Sequence, residues 1–249
     1  MNHKDPIPLL INSYIQVADQ PGTQLKDHQL RIEKTIEGIA HWLQINPDLK
    51  IVICDGSNFD FSSIVQKEFP SKHIECLHFE NNKTEVALYG KGYGEGQIID
   101  FALSHSTYLN QTSSFMKCTG KLWVTNAQNC LSHFTGNFIA KGYFSSVFQF
   151  HHLNFDYIDT RFYICSKDFY NSYVKGSYLL KQNSSVEVNL RNTIIHERIQ
   201  HILFSMPLII EGTSGASGKY YKNNLKRLLK EKLRLFILMR SKHKGLFIP

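Results

Sequence analysis

The chain has 249 residues, 42% of them apolar, and a formal net charge of +7 at pH 7. That length suits one large domain, or one domain with a small appendage, and supplies enough apolar residues for a core. No run of 18 apolar residues would make a transmembrane helix, and five widely spaced cysteines without a CxxC argue against structural zinc and a disulfide framework.

The amino terminus, Met1-Asn-His-Lys-Asp-Pro6, has no apolar signal region, so a cytoplasmic chain is expected. Residues 7–15 read as an apolar strand. Asp27 to Ile45 has helical spacing of Leu30, Ile32, Ile36, Ile39 and Leu43 and stops at Asn46-Pro47. A strand over 49–54 ends in Asp55-Gly-Ser-Asn58. A short helix over 64–69, a strand over 74–79 and a turn at 80–83 follow. The glycine-rich stretch Gly90-Lys-Gly-Tyr-Gly-Glu-Gly96 then opens a helix from Gln97 to His105. Phe115 to Val124 reads as a strand pair or a strand and turn. Alternation of this kind predicts an α/β class with a parallel, helix-covered sheet.

The second half is less regular. Residues 138–150 and 157–165 are aromatic-rich, strand-like runs, 193–205 has helical spacing, and 211–218 reads as a glycine–serine loop. Residues 219–244 hold ten Lys or Arg and one acid, a net +9, which leaves 18 basic and 20 acidic residues elsewhere. Leu225, Leu228, Leu229, Leu233, Phe236 and Ile237 recur there at helical spacing. A basic amphipathic helix of this kind is expected to lie on an anionic membrane surface; packing on the domain, or docking on a partner, would use the same pattern. A nucleic-acid partner is not expected, because the rest of the chain has no basic excess and no recognition motif. The division expected is a catalytic domain over 1–218 and a basic carboxyl-terminal helix over 219–249.

Three segments could carry chemistry. Asp55, Ser57 and Asn58 end an early strand, where an open α/β sheet delivers polar groups to a ligand; the same residues also favour a plain βα turn. Lys91, Gly92, Gly94 and Glu95 sit in a stretch that matches neither a dinucleotide fingerprint nor a Walker loop. Four glycines at a helix start still suggest exposed N–H groups that suit an anion such as a diphosphate, with Lys91 adding charge; a surface loop is the alternative. Lys117, Thr119 and Lys121 alternate along a strand and so share one face, followed by Asn126. In the second half Asp156, Asp159, Arg161, Glu187, Arg191, His196, Glu197 and His201 include a candidate general base, with Glu197 and Asp159 preferred. No metal set is expected, since His196 and His201 are five apart and no third ligand is suitably spaced.

The order of these segments resembles bacterial nucleotide-sugar glycosyltransferases of the GT-A type. In these a strand, a helix and a strand ending in Asp-Gly-Ser (7–15, 27–45 and 51–57 here) precede a loop and helix near the diphosphate (90–105) and a strand leading to the donor site (115–126). The GKGYGEG and KCTGKLWVTN segments also look like proteins encoded in surface-polysaccharide (O-antigen or capsule) gene clusters. The resemblance covers roughly residues 7 to 130. It implies a GT-A-like open sheet with a Rossmann-type nucleotide-binding half, and a hexosyltransferase-like enzyme. The family's Asp-x-Asp metal motif is missing where it would fall, at Lys117–Asn126, and Asp156-Tyr-Ile-Asp159 comes too late to replace it. Lysines in place of a metal would make the reaction independent of manganese or magnesium, with no other cofactor. Asp55, Ser57 and Asn58 would then hold the nucleoside, Lys91, Gly92, Gly94 and Glu95 the diphosphate, and Lys117, Thr119, Lys121 and Asn126 the leaving group. The partners implied are a nucleotide-sugar donor, a lipid-linked oligosaccharide acceptor and the inner face of the bacterial inner membrane. A phosphotransferase with soluble substrates and a non-enzymatic adaptor of a polysaccharide assembly complex are the rival readings.

Overall fold

The computed structural model describes residues 6–17, 24–149, 152–181, 185–215 and 217–248. The Met1–Asp5 end, Phe150 of the first aromatic run, Ala216 of the glycine–serine loop and Pro249 of the tail lie outside the described residues.

The strands are β1 (Leu9–Ser13), β2 (Ile51–Asp55), β3 (Ile74–His78), β4 (Ser114–Thr119), β5 (Leu122–Val124), β6 (Phe138–Ser145), β7 (Asn154–Ser166), β8 (Ile210–Thr213) and β9 (Tyr220–Tyr221). The helices are α1 (His28–Ile45), α2 (Ser62–Glu68), α3 (Lys83–Tyr89), α4 (Lys91–His105), α5 (Thr107–Asn110), α6 (Ala127–Ser132), α7 (Lys167–Phe169), α8 (Lys175–Tyr178), α9 (Val186–His196) and α10 (Leu225–Leu238). The main sheet has the order β3-β2-β1-β4-β7-β6, and a smaller one has the order β5-β8-β9. In the main sheet β3, β2, β1 and β4 run parallel, while β7 is antiparallel to both β4 and β6. The α/β class and the open, largely parallel sheet expected from the sequence are present.

The central strands are buried on both faces, which is why they read as apolar runs rather than alternating ones. One core lies between the sheet and α4, α8 and α9, with Leu10, Ile99, Phe115, Tyr163 and Leu190; the other packs under α1, with Ile39, Trp42, Ile51, Trp123 and Phe162. Helix α1 begins where Asp27 accepts a hydrogen bond from the Leu30 N–H (3.0 Å), a side-chain cap that meets one of the free N–H groups of the first turn.

Four segments differ from expectation. The glycine stretch is not a loop: Asn82 caps an additional helix, α3, Gly90 (φ 92°) turns the chain, and α4 is helical from Lys91 onwards. Its glycines admit neighbours. A Cβ on Gly92 would overlap Val186 of α9, one on Gly94 would meet Asn81 Nδ2 at 2.9 Å, and one on Gly96 would meet Tyr178 Cβ at 2.6 Å. Second, the 115–124 strand breaks at Gly120-Lys121, where Lys121 (φ 71°) turns β5 out of the main sheet to pair with β8. Third, helix α9 lies at 186–196 rather than 193–205, and Leu203 instead makes isolated bridges to Ala140 and Phe247. Fourth, the loop expected at 211–218 begins inside a strand: 211–213 belong to β8, which pairs with both β5 and β9.

Candidate functional site

A cleft of about 350 Å³ opens where the chain leaves the carboxyl ends of β1 and β4. The strand order reverses here, since the chain steps outward from β1 to β2 and β3 on one side and returns to place β4 on the other side of β1. Open α/β sheets place their ligands at this crevice. Asn12, Ser13 and Tyr14 line it from β1, and Thr119, Gly120 and Lys121 from the end of β4. Around them stand Arg31 of α1, Asn81, Lys91 and Glu95 of α4, Thr160 and Arg161 of β7, and Glu187 of α9.

The electrostatics are dominated by two buried cations. Arg31 is pinned by backbone oxygens: its Nε and Nη2 donate to the Tyr14 carbonyl (2.9 and 2.6 Å) and its Nη1 to the Leu25 and Gly215 carbonyls (2.9 and 3.4 Å). Lys121 is buried, and among the described residues its ammonium has no hydrogen-bond partner. Burial, reinforced by the Arg31 charge, pushes the Lys121 ammonium down to about 7, while Asp55 pulls the other way. Burial and then Arg31 likewise lower Lys91. An unpaired buried cation is costly unless an anion arrives. Among the described residues, three buried acceptor or hydroxyl oxygens at the cleft also have no partner: Asn12 Oδ1, Ser13 Oγ and Asn81 Oδ1. Orphaned polar atoms of this kind call for a partner from outside the chain.

The residues singled out from sequence fall into three groups. Lys91, Gly94, Glu95, Thr119 and Lys121 line the cleft, although Gly94 serves helix packing. Asp55, Ser57 and Lys117 lie beneath it. The Asp55 carboxylate, fully buried, accepts from Ile15 N (3.0 Å), Ser57 N (2.8 Å), Ser57 Oγ (2.5 Å) and Phe59 N (3.2 Å). Ser57 Oγ in turn accepts from Ile15 N and Gln16 N. This pair therefore shapes the turn after β1 and does not present itself to a ligand. Lys117, with no exposed surface, donates to Glu95 Oε1, to Thr119 Oγ1 (3.1 Å) and to the Thr160 carbonyl (2.6 Å), which accounts for all three of its protons. It is not available to a leaving group.

The third group lies away from the cleft. Asn58 bonds His78 Nδ1 (2.9 Å) at the end of β3. Gly92 packs on Val186. The Asn126 amide clamps the segment before β8, donating to the Pro207 carbonyl (2.9 Å) and accepting from Ile209 N (3.0 Å). Glu197 caps the far end of α9 on the surface, 2.8 Å from His196. Asp159 is held by the Nε and Nη2 of Arg161 (2.9 and 2.6 Å), so it orients that guanidinium and is not a free base.

The acidic side chain that does reach the cleft from α9 is Glu187, in the first helical turn. It accepts from Thr160 Oγ1 (3.2 Å) and Ser185 Oγ (2.5 Å). Arg31, Asn12, Ser13, Tyr14 and Asn81 were not expected. Arg31 left one trace in the sequence: with Thr35, Gly38, Ile39 and Trp42 it occupies the buried stripe of α1, where a cation is out of place.

Among the described residues no group of three or more His, Cys, Asp or Glu is placed to hold a metal ion. Where the resemblance calls for carboxylates, at the end of β4, the cleft has Thr119, Gly120 and Lys121; that donor set suits an anion, not a divalent cation.

No protein-family model matches the chain, and no curated protein matches it in sequence. Solved structures do resemble it. A putative nucleotide-diphospho-sugar transferase from Desulfovibrio desulfuricans matches with 7% identity, over 80% of this chain and 79% of the other, at a TM-score of 0.48. S. aureus TarS 1–349, in complex with UDP, matches with 9% identity over 96% and 67%, at 0.48. The inositol-1-phosphate CTP transferase from T. maritima matches with 12% identity over 95% and 98%, at 0.46. The fold itself is α/β, with an open and largely parallel main sheet.

Proposed function

We propose that this chain is a glycosyltransferase that moves a sugar from a nucleotide-sugar donor to a lipid-linked glycan in the assembly of a bacterial surface polysaccharide. The observation that carries the reading is the pair Arg31 and Lys121. Two buried cations that no carboxylate touches among the described residues face one cleft at the ends of parallel strands, and a diphosphate is the ligand that neutralises both.

The roles follow from position. Asn12, Ser13 and Asn81 supply unsatisfied polar atoms for the nucleoside. Arg31 and Lys121, with Lys91 at the rim, hold the diphosphate. Glu187 accepts the proton of the acceptor hydroxyl as it attacks the anomeric carbon. The bond from that carbon to the diphosphate oxygen then breaks, and the nucleoside diphosphate leaves with its charge held by the same cations. Because they occupy the place of a metal, turnover is proposed to be independent of manganese and magnesium.

Helix α10 supports the membrane part of the reading. Its inner residues Leu235 and Leu238 are buried, whereas Leu225, Leu229, Leu233 and Phe236 form an outer stripe, each more than half exposed. Lys226, Lys230 and Lys232 flank that stripe, as expected of a helix in an anionic interface. No helix among the described residues is long and apolar enough to cross a membrane. The site of action proposed is the inner face of the bacterial inner membrane, with 219–249 as its contact.

The test is thermal stabilisation by UDP-, GDP-, CMP- and dTDP-sugars, followed by product analysis. A donor at 100 times its Kd should add about 2.7 kcal/mol to the folded state. A nucleotide-selective rise in Tm, with slow release of nucleoside diphosphate in the absence of acceptor, supports the reading. Pyrophosphate release from a nucleoside triphosphate and a sugar phosphate would make the chain a nucleotidyltransferase instead. No stabilisation of the folded chain by any donor favours the adaptor.

A further inference from the structure

A second trough, of about 220 Å³, adjoins the cleft between β6, β7, the segment before β8 and the inner edge of α10. Arg161 and Tyr221 line both spaces, so the trough begins where the cleft ends. Five cations border it: Lys141, Arg161, Arg227, Lys230 and Arg234. Its one acid, Glu231, is already engaged by Lys141 (2.5 Å) and approached by Arg234 (3.9 Å). Arg161 has Asp159. Arg227 and Lys230 have no acidic partner among the described residues. Between the cations the lining is apolar, from Pro207, Leu208, Ile210 and Leu228.

Two faces of one helix are thus differently employed. The exposed leucine stripe of α10 points outward, and Arg227 and Lys230 lie on the edge that turns toward the trough. A ligand that fits must be anionic at one point and apolar beside it, and must reach the cleft from the side that meets the membrane. Resting on the transferase reading above, we propose that this trough binds the phosphate or diphosphate joining the acceptor's lipid to its sugar. The acceptor sugar then extends past Arg161 and Tyr221 to Glu187. Tyr143 and Tyr157, stacked with ring centroids 4.5 Å apart, stand beside Glu187 and offer that sugar an aromatic surface.

The test is equilibrium binding of farnesyl diphosphate to the full chain, in a Lys121→Ala background so that the cleft competes weakly. Adding Arg227→Glu and Lys230→Glu should weaken binding at least about ten-fold, or 1.4 kcal/mol. The milder Arg227→Ala, Lys230→Ala pair should move it in the same direction, and a melting curve on each variant checks that it folds. Unchanged affinity in both folded pairs overturns the proposal, and so does equally tight binding of farnesol, which lacks the phosphates. Equal displacement of farnesyl diphosphate by dihexanoyl phosphatidylglycerol, kept below its micelle concentration at equal phosphate so that no bilayer forms, would make the ligand a lipid headgroup and overturn the acceptor assignment. Nucleotide-sugar stabilisation of the unaltered chain is measured in parallel. Its absence contradicts the transferase reading, whereas its presence with charge-independent farnesyl diphosphate binding overturns the trough alone.

Discussion

Arg31 Nη2 and Lys121 Nζ each lie 3.8 Å from the position that a Cβ on Gly215 would occupy, so two buried cations share one corner of the cleft. Neither touches a carboxylate among the described residues. The fold bears this arrangement at a cost, because Lys121 also sits in the left-handed backbone region, uncommon for a residue with a side chain. Strain and burial concentrated at one residue are characteristic of sites that act on a ligand.

Lys121→Met should therefore stabilise the ligand-free protein while abolishing donor binding. A buried ion without a partner carries an effective desolvation penalty of several kcal/mol, which an apolar side chain of similar volume removes. The folded ammonium is lowered from 10.5 to about 7, so the unfolded chain binds the extra proton between those values. Stability of the unaltered chain thus rises with pH across that window, and the advantage of the variant shrinks there. Melting curves at pH 6.5 and 9.5 measure both effects; a variant less stable at pH 6.5 would contradict the account.

Gly92→Ala separates a packing role from a phosphate loop. In an exposed helix the change would help by about 1 kcal/mol. Here the new methyl meets Val186, and overpacking should destabilise by about 1–3 kcal/mol. Adding Val186→Ala should restore much of that loss, a coupling that denaturant unfolding of the double variant reads directly.

Glu187→Gln tests the base. The amide keeps the size of the side chain but cannot take a proton, so kcat should fall about 10²- to 10⁴-fold. Donor-induced stabilisation should remain. Loss of donor binding in proportion to turnover would move Glu187 out of the base role.

Leu229→Glu with Leu233→Glu alters only exposed positions of α10. Flotation with phosphatidylglycerol vesicles should lose the protein, and Tm should change within about 0.5 kcal/mol equivalent, as surface substitutions do. Retained flotation would remove the membrane assignment.

How far the sequence foretold these features depends on the range of the interactions involved. The apolar runs at β1, β2 and β4, and the helical spacing that runs from Asp27 to Ile45 in α1, are local signals, and they were legible. The place of the cleft also followed, because strand ends locate it. The roles of individual residues did not. Lys117 and Lys121 look equivalent in the sequence, yet one meets Glu95 and the Thr160 carbonyl across the sheet and the other is turned away by its own backbone. Asp55 has the position of a ligand contact, but Ile15, Ser57 and Phe59 engage it. The glycines at 92, 94 and 96 answer to Val186, Asn81 and Tyr178, two of which are more than 80 residues away. Glu187 and Glu197 look alike as candidate bases in the sequence, but the helix expected at 193–205 includes only Glu197, whereas α9 begins at Val186. Only the start of α9, not its end, faces the cleft.

The central claim is that Arg31 and Lys121 hold the donor diphosphate in place of a metal. The direct measurement is the affinity of the selected nucleotide sugar against pH, in buffer containing a chelator. Both phosphates of such a donor remain ionised throughout, so the protein supplies the pH dependence. An anion beside Lys121 raises its pKa above the free value of about 7, and binding therefore takes up a proton above that pH. The account expects tight, chelator-resistant binding that is level below pH 7 and weakens above it by up to about ten-fold per pH unit. Binding that requires manganese or magnesium, or an affinity indifferent to pH between 7 and 9, would contradict it.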